Sequence, residues 1–563
     1  MGQLGHSARF GPGLRSWRVA AGIAALSVLA ACASDEKAAP PGGERPAARP
    51  ESIERLRLAG GQWGYPSPFA YVRGPGLVNV NFLFDTLLWK DSTGEAIPWL
   101  AAKYQQSPDG LEWRFTLRDN VRWQDGRPLT ADDVVFTFDY LTKGPGATAP
   151  GIFGRIDVKE VVAEGPTTAV IRLAQPQAGF DVTIAGRIPI IPRHVWSDVS
   201  DPAKLRDPKA LMGSGPYRLQ SFDEATGNYL FVANETYFLG VPYVRRLEFV
   251  AVSDSLRSLQ RGEIDAGSPD SEDGLPEEAL KPFESAKFVQ LEGPGESTRA
   301  IHFNLTKGFP YDNKSFRQAV AYGVDRKDMV KRILLGRGEP GSLGGLAPSH
   351  EFAAPGLPAY DRDVAKARSM LDGVGLRDAN GDGVRELPDG QPFKPELQIN
   401  ARFSPKTAEL VKEYLREVGI DLTLRSFDTS AADDNAAKGN YEMALIGYGG
   451  MGGEADTLRT RYSSQVRSAS FNRVHGYRNP AFEELAAKQL TIVDKAERKK
   501  VIQDMQRILA DDLPTIPLYL PTRLQISPAG GFDAWYYTPG GVFGGYPGTI
   551  NKHAFVTGKK VGF

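Results

Sequence analysis

The chain has 563 residues, of which 41% are hydrophobic and 24% charged, with a formal net charge of −1. This composition excludes a disordered chain, a coiled coil and a polytopic membrane protein, and the balanced charge leaves no footprint for nucleic acid. A single cysteine and six histidines exclude a disulfide framework and a Cys-based zinc site, and they leave little material for a His-rich metal site.

In chain order, the first segment is an address label. Residues 1–31 contain Arg9, Arg15 and Arg18 and no acid, followed by an apolar run from Val19 to Ala31. That run is too short to span about 30 Å of hydrocarbon but suits the core of a signal peptide. It ends in Leu29-Ala30-Ala31-Cys32, which resembles a bacterial lipobox, and Cys32 is the chain's only cysteine. Cleavage before Cys32 would remove three arginines and leave the mature chain at −4. Residues 32–50 comprise the lipidated cysteine and a stretch with almost no large apolar residue, expected to be a disordered tether. The expected location is therefore extracytoplasmic, in the periplasm or on the outer face of the cell membrane, with a lipid anchor.

Strand and helix signals then alternate to the C-terminus. Trp113-Arg114-Phe115-Thr116-Leu117 has the period of a half-buried strand. Thr130 with Asp133 forms a capping-box-like helix start. Ser404-Pro405 opens a helix with Leu410, Val411, Tyr414, Leu415 and Val418 on one face and Gly419 as its stop. Ile420, Leu422 and Leu424 then alternate as a strand. Asn479-Pro480 starts another helix, and Asp494 with Glu497 a third, whose apolar face is Val501, Ile502, Met505, Ile508 and Leu509. The class implied is a mixed α/β body of more than one lobe.

Catalytic signatures are absent. Gly336-Arg337-Gly338-Glu339-Pro340-Gly341 matches G-x-G-x-x-G but follows a helix and precedes Gly344-Gly345, so it is expected to be a loop rather than a dinucleotide site. No histidines pair at i,i+4, and His194 in Ile191-Pro192-Arg193-His194 suits a capping or core role. Asp378-Ala379-Asn380-Gly381-Asp382-Gly383 matches the first half of a calcium loop, but Asp389 stands where glutamate is expected and Pro388 and Gly390 replace the following helix. An Asx-rich turn is expected there. No enzyme activity, no catalytic residue, no metal ligand and no cofactor are expected.

From Pro98-Trp99-Leu100-Ala101 onward the chain resembles a known family. Asp109-Gly110-Leu111-Glu112-Trp113-Arg114-Phe115-Thr116-Leu117-Arg118 and Trp123-Gln124-Asp125-Gly126-Arg127-Pro128-Leu129-Thr130-Ala131-Asp132-Asp133-Val134 carry its most specific pattern. Gly213-Ser214-Gly215-Pro216-Tyr217, Asn234-Glu235-Thr236-Tyr237-Phe238, Gly262-Glu263-Ile264-Asp265 and Phe316-Arg317-Gln318-Ala319 follow in order, then Tyr322-Gly323-Val324-Asp325-Arg326 and Leu513-Pro514-Thr515-Ile516-Pro517. This series is similar to the extracytoplasmic solute-binding proteins of peptide and nickel ABC transporters, the oligopeptide- and dipeptide-binding family. The resemblance covers roughly residues 60–520.

The resemblance implies a two-lobed periplasmic-binding-protein-like α/β fold with an extra domain and a ligand cleft between the lobes. Domain I is expected to combine 51–84, 213–296 and 515–563, domain II to span 85–212, and domain III to span 297–514. The implied function is capture of a peptide or similar small solute by a monomeric lipoprotein, which delivers it to the permease and ATPase subunits of an ABC importer. A metal–chelator receptor of the nickel type and a surface signalling lipoprotein without a permease are the alternatives.

In peptide-binding members an aspartate after a G-W pair fixes the ligand amine. Here the region reads Gly447-Tyr448-Gly449-Gly450-Met451-Gly452-Gly453-Glu454-Ala455-Asp456, so Tyr448 replaces the tryptophan and that aspartate is absent or displaced. Glu454 or Asp456 is expected to substitute from a loop shaped by Gly449 and Gly450, or else to be a solvated loop acid. Near the start, Tyr65 and Phe69 are expected to line the cleft or to pack the wall of domain I.

Overall fold

The computed structural model describes residues 51–71, 75–148, 158–269, 277–402, 405–466, 470–542 and 548–560. The expectations for the signal segment and Cys32 lie outside them. No helix among the described residues is long and apolar enough to cross a membrane.

The body is built on three main sheets. In the first, Leu56–Gly60 runs parallel to Arg246–Ala251, which continues antiparallel to Asn228–Ala233 and then Tyr217–Asp223. Leu56, Leu58, Leu247, Phe249, Tyr229 and Phe231 alternate inward from it. The second is antiparallel, in the order Ala101–Gln106, Glu112–Leu117, Thr168–Leu173 and Val158–Ala163. Trp113, Phe115 and Leu117 are buried, as the period-two pattern requires. Helix Ala131–Thr142 covers this sheet, and its start is the expected capping box, with the Thr130 amide donating to Asp133 Oδ2 at 3.0 Å.

These two sheets share one apolar core, which also takes in Trp535 and Phe555 from the C-terminal segment. Within this region Asp85 and Lys552 form an ion pair at 2.7 Å with both side chains 0% exposed. Trp99 Nε1, Ser214 Oγ and Tyr237 Oη also donate to Asp85.

The third sheet is six-stranded and mixed, in the order Gly338–Pro340, Thr515–Pro521, Thr298–Phe303, Met443–Tyr448, Glu396–Asn400 and Thr423–Phe427. Helices Lys314–Gly323 and Pro405–Glu417 bury their apolar faces in its core, and Gly419 ends the latter at φ +88°. Pro480–Lys488 and Lys495–Asp512 pack against each other in an adjoining core. Their caps are Asn479 and Asp494, as expected, with Asp494 accepting from the Glu497 amide.

Two boundaries differ from expectation. Thr515–Pro521, expected in domain I, pairs with Thr298–Phe303, expected in domain III, in the register Ile301↔Ile516. All seven of its residues are buried, the signature of an internal strand covered on both faces. The next strand, Arg523–Pro528, pairs instead with Phe288–Gly293 as a two-stranded ribbon. The strand expected at Ile420 begins at Thr423 instead. Ile420 and Leu422 are buried in its approach, where the Ile420 amide is tied to the Leu415 carbonyl.

Gly336 to Gly341 forms a turn and a three-residue edge strand, not a helix start. A Cβ on Gly341 would lie 2.4 Å from the Pro517 carbonyl oxygen, which explains that glycine by close backbone approach. In the Asp378 loop, the carboxylates of Asp378, Asp382 and Glu386 offer oxygens within 4.8 Å of one another. Asp378 accepts from the amides of Gly381 and Gly383, and Glu386 from that of Ala379, the bonding of an Asx-rich turn.

Candidate functional site: the cleft between the lobes

The lobes meet along residues far apart in sequence. The Ala178 amide donates to the Leu490 carbonyl at 3.0 Å, and Lys495 pairs with Glu95 at 2.9 Å. Gly110 lies against Val493, and Gly179 against the Glu454 carboxylate, where an added Cβ would approach Oε2 to 2.4 Å.

The floor is formed where the chain crosses from the first lobe to the second. Glu296, 2% exposed, precedes strand Thr298–Phe303. Its Oε2 accepts from the Gly540 amide at 2.7 Å, and its carbonyl accepts from the Met451 amide at 3.1 Å. Gly452 is pressed on the same carboxylate: a Cβ there would lie 1.9 Å from Glu296 Cδ. The glycine-rich loop after strand Met443–Tyr448 thus owes its composition to close packing against Glu296 and Gly540. Burial lifts the Glu296 carboxyl to about 7.

The loop is braced from its own lobe. Arg461 lies over the Tyr448 ring at 3.8 Å and donates from Nη2 to the Gly449 carbonyl at 3.1 Å. Gly450 turns the chain at φ +80°, and His350 Nε2 meets the Gly453 carbonyl at 2.7 Å. Tyr448 is buried, edge-on to His302. Arg498, on helix Lys495–Asp512, holds Glu454 in an ion pair and also donates to Gln489 Oε1. Asp456 accepts from Arg459 Nε at 2.7 Å and from Gln489 Nε2. Of the two acids singled out from the sequence, Glu454 is the one against the opposite lobe. Tyr65 donates from its hydroxyl to the Asp207 carbonyl and tilts on Phe222, and Phe69 is buried on Tyr140 and Trp196.

Sequence reasoning did not single out Lys90, Asp181, Arg187 or Glu296. Lys90 ends strand Leu88–Lys90, is 6% exposed, and donates from Nζ to the Gly541 carbonyl at 3.5 Å. Burial first, and Arg187 second, lower its pKa to about 8, while Glu454, Asp181 and Glu296 oppose that shift. Asp181 opens the five-residue π-helix Asp181–Ala185, and burial raises its carboxyl. The available signal was a lysine closing the apolar run Leu87-Leu88-Trp89, and an arginine inside Ile184-Ala185-Gly186-Arg187-Ile188.

The arrangement is a charged, glycine-lined cleft between two lobes, a geometry suited to enclosing a solute. Residues 95–470 match the model of the bacterial extracellular solute-binding proteins, family 5 (middle). The chain is 25% identical over 534 residues to the oligopeptide-binding protein AppA of Bacillus subtilis, covering 91% of this chain and 94% of that one. It is 26% identical over 460 residues to the nickel-binding periplasmic protein of Escherichia coli, covering 79% and 85%. The structure of Bacillus subtilis AppA in complex with a nonapeptide superposes with a TM-score of 0.68 at 23% identity, covering 85% of this chain and 95% of that one. With its two lobes, its crossover ribbon and a match over most of its length, this chain belongs to the bacterial extracellular solute-binding proteins of family 5.

Proposed function

We propose that the chain is the receptor of an ABC importer, anchored outside the cytoplasmic membrane by lipid on Cys32. Its lobes close on a peptide or a solute of similar size, and the loaded monomer presents it to the permease, whose ATPase drives uptake. The observation that carries this reading is the convergence of Glu296, the Gly449–Glu454 loop and Gly540 with Gly179 and Lys90 of the opposite lobe. Binding, not turnover, is what such a cleft provides.

In this reading Glu454 faces the solute, Gly449 and Gly450 shape its loop, and Tyr448 and Asp456 brace that loop from behind. Tyr65 and Phe69 then build the wall of domain I. The nickel-binding relative keeps a metal–chelator ligand as the second reading. Among the described residues, however, the only cluster of potential metal-ligating side chains is Asp378, Asp382 and Glu386, in a loop apart from the cleft residues.

Native mass spectrometry of the protein extracted from its own membrane tests the proposal. The expected result is one non-covalent solute per chain, released chemically unchanged on denaturation, from a wild type that salt does not wash off the membrane. The Cys32→Ala chain is expected to bind the same solute but to remain an unprocessed precursor. Conversion of the bound compound over time would overturn the receptor reading, and a processed, membrane-held Cys32→Ala chain would overturn the anchor.

A further inference from the structure

We propose that the loop 378–386 holds one calcium ion on the carboxylates of Asp378, Asp382 and Glu386. The site lies apart from the cleft residues and stands whatever solute the cleft takes.

An Asx-rich turn accounts for Asp378 and Asp382, which accept from backbone amides of the loop, but it does not account for Glu386. Glu386 is 8% exposed and is pinned by backbone bridges to Arg377 and Pro392. Its Oε2 accepts from the Ala379 amide at 2.8 Å, while its Oε1 is buried without a hydrogen-bond partner. A buried carboxylate oxygen left unpaired is costly unless a cation reaches it. Among the described residues no lysine, arginine or histidine pairs with Asp378, Asp382 or Glu386. The arginines of this segment are engaged elsewhere: Arg385 donates to the Asp372 carboxylate and the Val418 carbonyl, and Arg377 Nε to the Asp372 carbonyl.

The three carboxylates converge on one another, each offering an oxygen within 4.8 Å of the other two. Oxygens about 2.4 Å from a calcium ion lie no more than about 4.8 Å apart, so the three stand at ligand spacing. In the order of a calcium loop Asp378 is position 1, Asn380 position 3 and Asp382 position 5, with Gly383 turning the chain at position 6 with φ +85°. Position 7 offers the Val384 carbonyl, and position 9 is Glu386. Asp389, at position 12, instead accepts from the Gln391 amide at 3.1 Å and stands outside the cluster. Glu386 therefore takes the part that a position-12 glutamate plays in a full-length loop. An all-oxygen set with a backbone carbonyl and room for water suits calcium, which accepts irregular coordination, better than magnesium, which demands a strict octahedron. The loop reaches the rest of its lobe through Arg385, whose amide donates to the Gly419 carbonyl at 2.9 Å, just beyond helix Pro405–Glu417. A bound ion would thus stabilise this lobe by mass action.

The test is a titration of the mature chain, stripped with EDTA and desalted, with calcium chloride and separately with magnesium chloride, read by calorimetry and by thermal melts. One calcium ion per chain is expected, with a dissociation constant no weaker than about 1 mM, at least tenfold tighter than magnesium, and a melting temperature that rises with calcium. Glu386→Gln and Asp378→Asn should each weaken calcium binding at least tenfold, and Asp389→Asn should leave it unchanged. Melts of the metal-free variants report whether they fold, and the exposed Asp378 keeps the test decisive should the buried Glu386→Gln fail to do so. No heat and no shift of the melting temperature at about 10 mM calcium would overturn the site. Equal binding by the wild type and a folded Asp378→Asn would also overturn it, by marking diffuse attraction to surface acids. Magnesium bound as tightly as calcium would overturn the choice of ion, and loss of binding in Asp389→Asn alone would overturn the ligand set.

Discussion

His302 stands in the middle of strand Thr298–Phe303 with neither ring nitrogen hydrogen-bonded, its ring edge-on to Tyr448. Burial, and then the nearby Arg461, push its pKa down to about 3 from an ordinary 6.5. The folded protein therefore keeps this imidazole neutral while the unfolded chain protonates it below 6.5. Stability is lost as pH falls through that window, by up to about 1.4 kcal/mol per pH unit. Glu296 acts in the opposite sense: its carboxyl rises from 4.5 to about 7, so its contribution is full below 4.5 and lost as pH climbs to 7. The wild-type profile mixes the two, and a variant separates them. Between pH 6.5 and 5 the wild type is expected to lose about 1.6 kcal/mol more than His302→Leu in urea denaturation. Parallel profiles for the two proteins would show that His302 is not the titrating group.

At the scale of elements, helix Lys495–Asp512 joins stability to the site. Its Asp494 cap accepts from the Glu497 amide at 2.7 Å, and its first turn carries Arg498, which holds Glu454. Asp494→Ala is expected to cost about 1 kcal/mol, read as a lower urea midpoint with an unchanged slope. An unaltered midpoint would mean the cap contributes nothing. This start was legible in the sequence because a cap and its hydrogen-bond partner lie within four residues, as was Thr130 with Asp133, and as was Asn479 from the proline that follows it. The strand Thr515–Pro521 was legible only as a motif of the resemblance, and its partner lies some two hundred residues earlier, so no local pattern reveals which sheet it joins. The cleft was legible only in part for the same reason. Tyr448 to Asp456 stands out as a glycine-rich run, whereas Lys90, Arg187 and Glu296 acquire meaning only when the crossover brings them together.

For the whole molecule the question is what holds the lobes together. Lys495 with Glu95 is an exposed pair, worth about 0–1 kcal/mol, and the Ala178–Leu490 bond is a single backbone contact. Closure on contacts of this strength is readily opposed by one misfit at the seam. Gly179 is the place for it: φ is +73°, and a Cβ would lie 2.4 Å from Glu454 Oε2. That carboxylate cannot swing aside without leaving Arg498, which is itself fixed on Gln489. Gly179→Ala therefore carries two penalties, about 1–2 kcal/mol of left-handed strain in either state and a clash felt only when closed. Small-angle scattering with the solute that co-purifies with the wild type is expected to show contraction of the wild type and none of Gly179→Ala. Adding Glu454→Ala removes the clash but not the strain; it also removes a side chain that faces the solute, so the double variant should contract again only at a solute concentration raised until it saturates, while keeping the strain of the alanine. Contraction of Gly179→Ala equal to that of the wild type would place the seam elsewhere, because no closed state that keeps Glu454 on Arg498 accommodates the added methyl group.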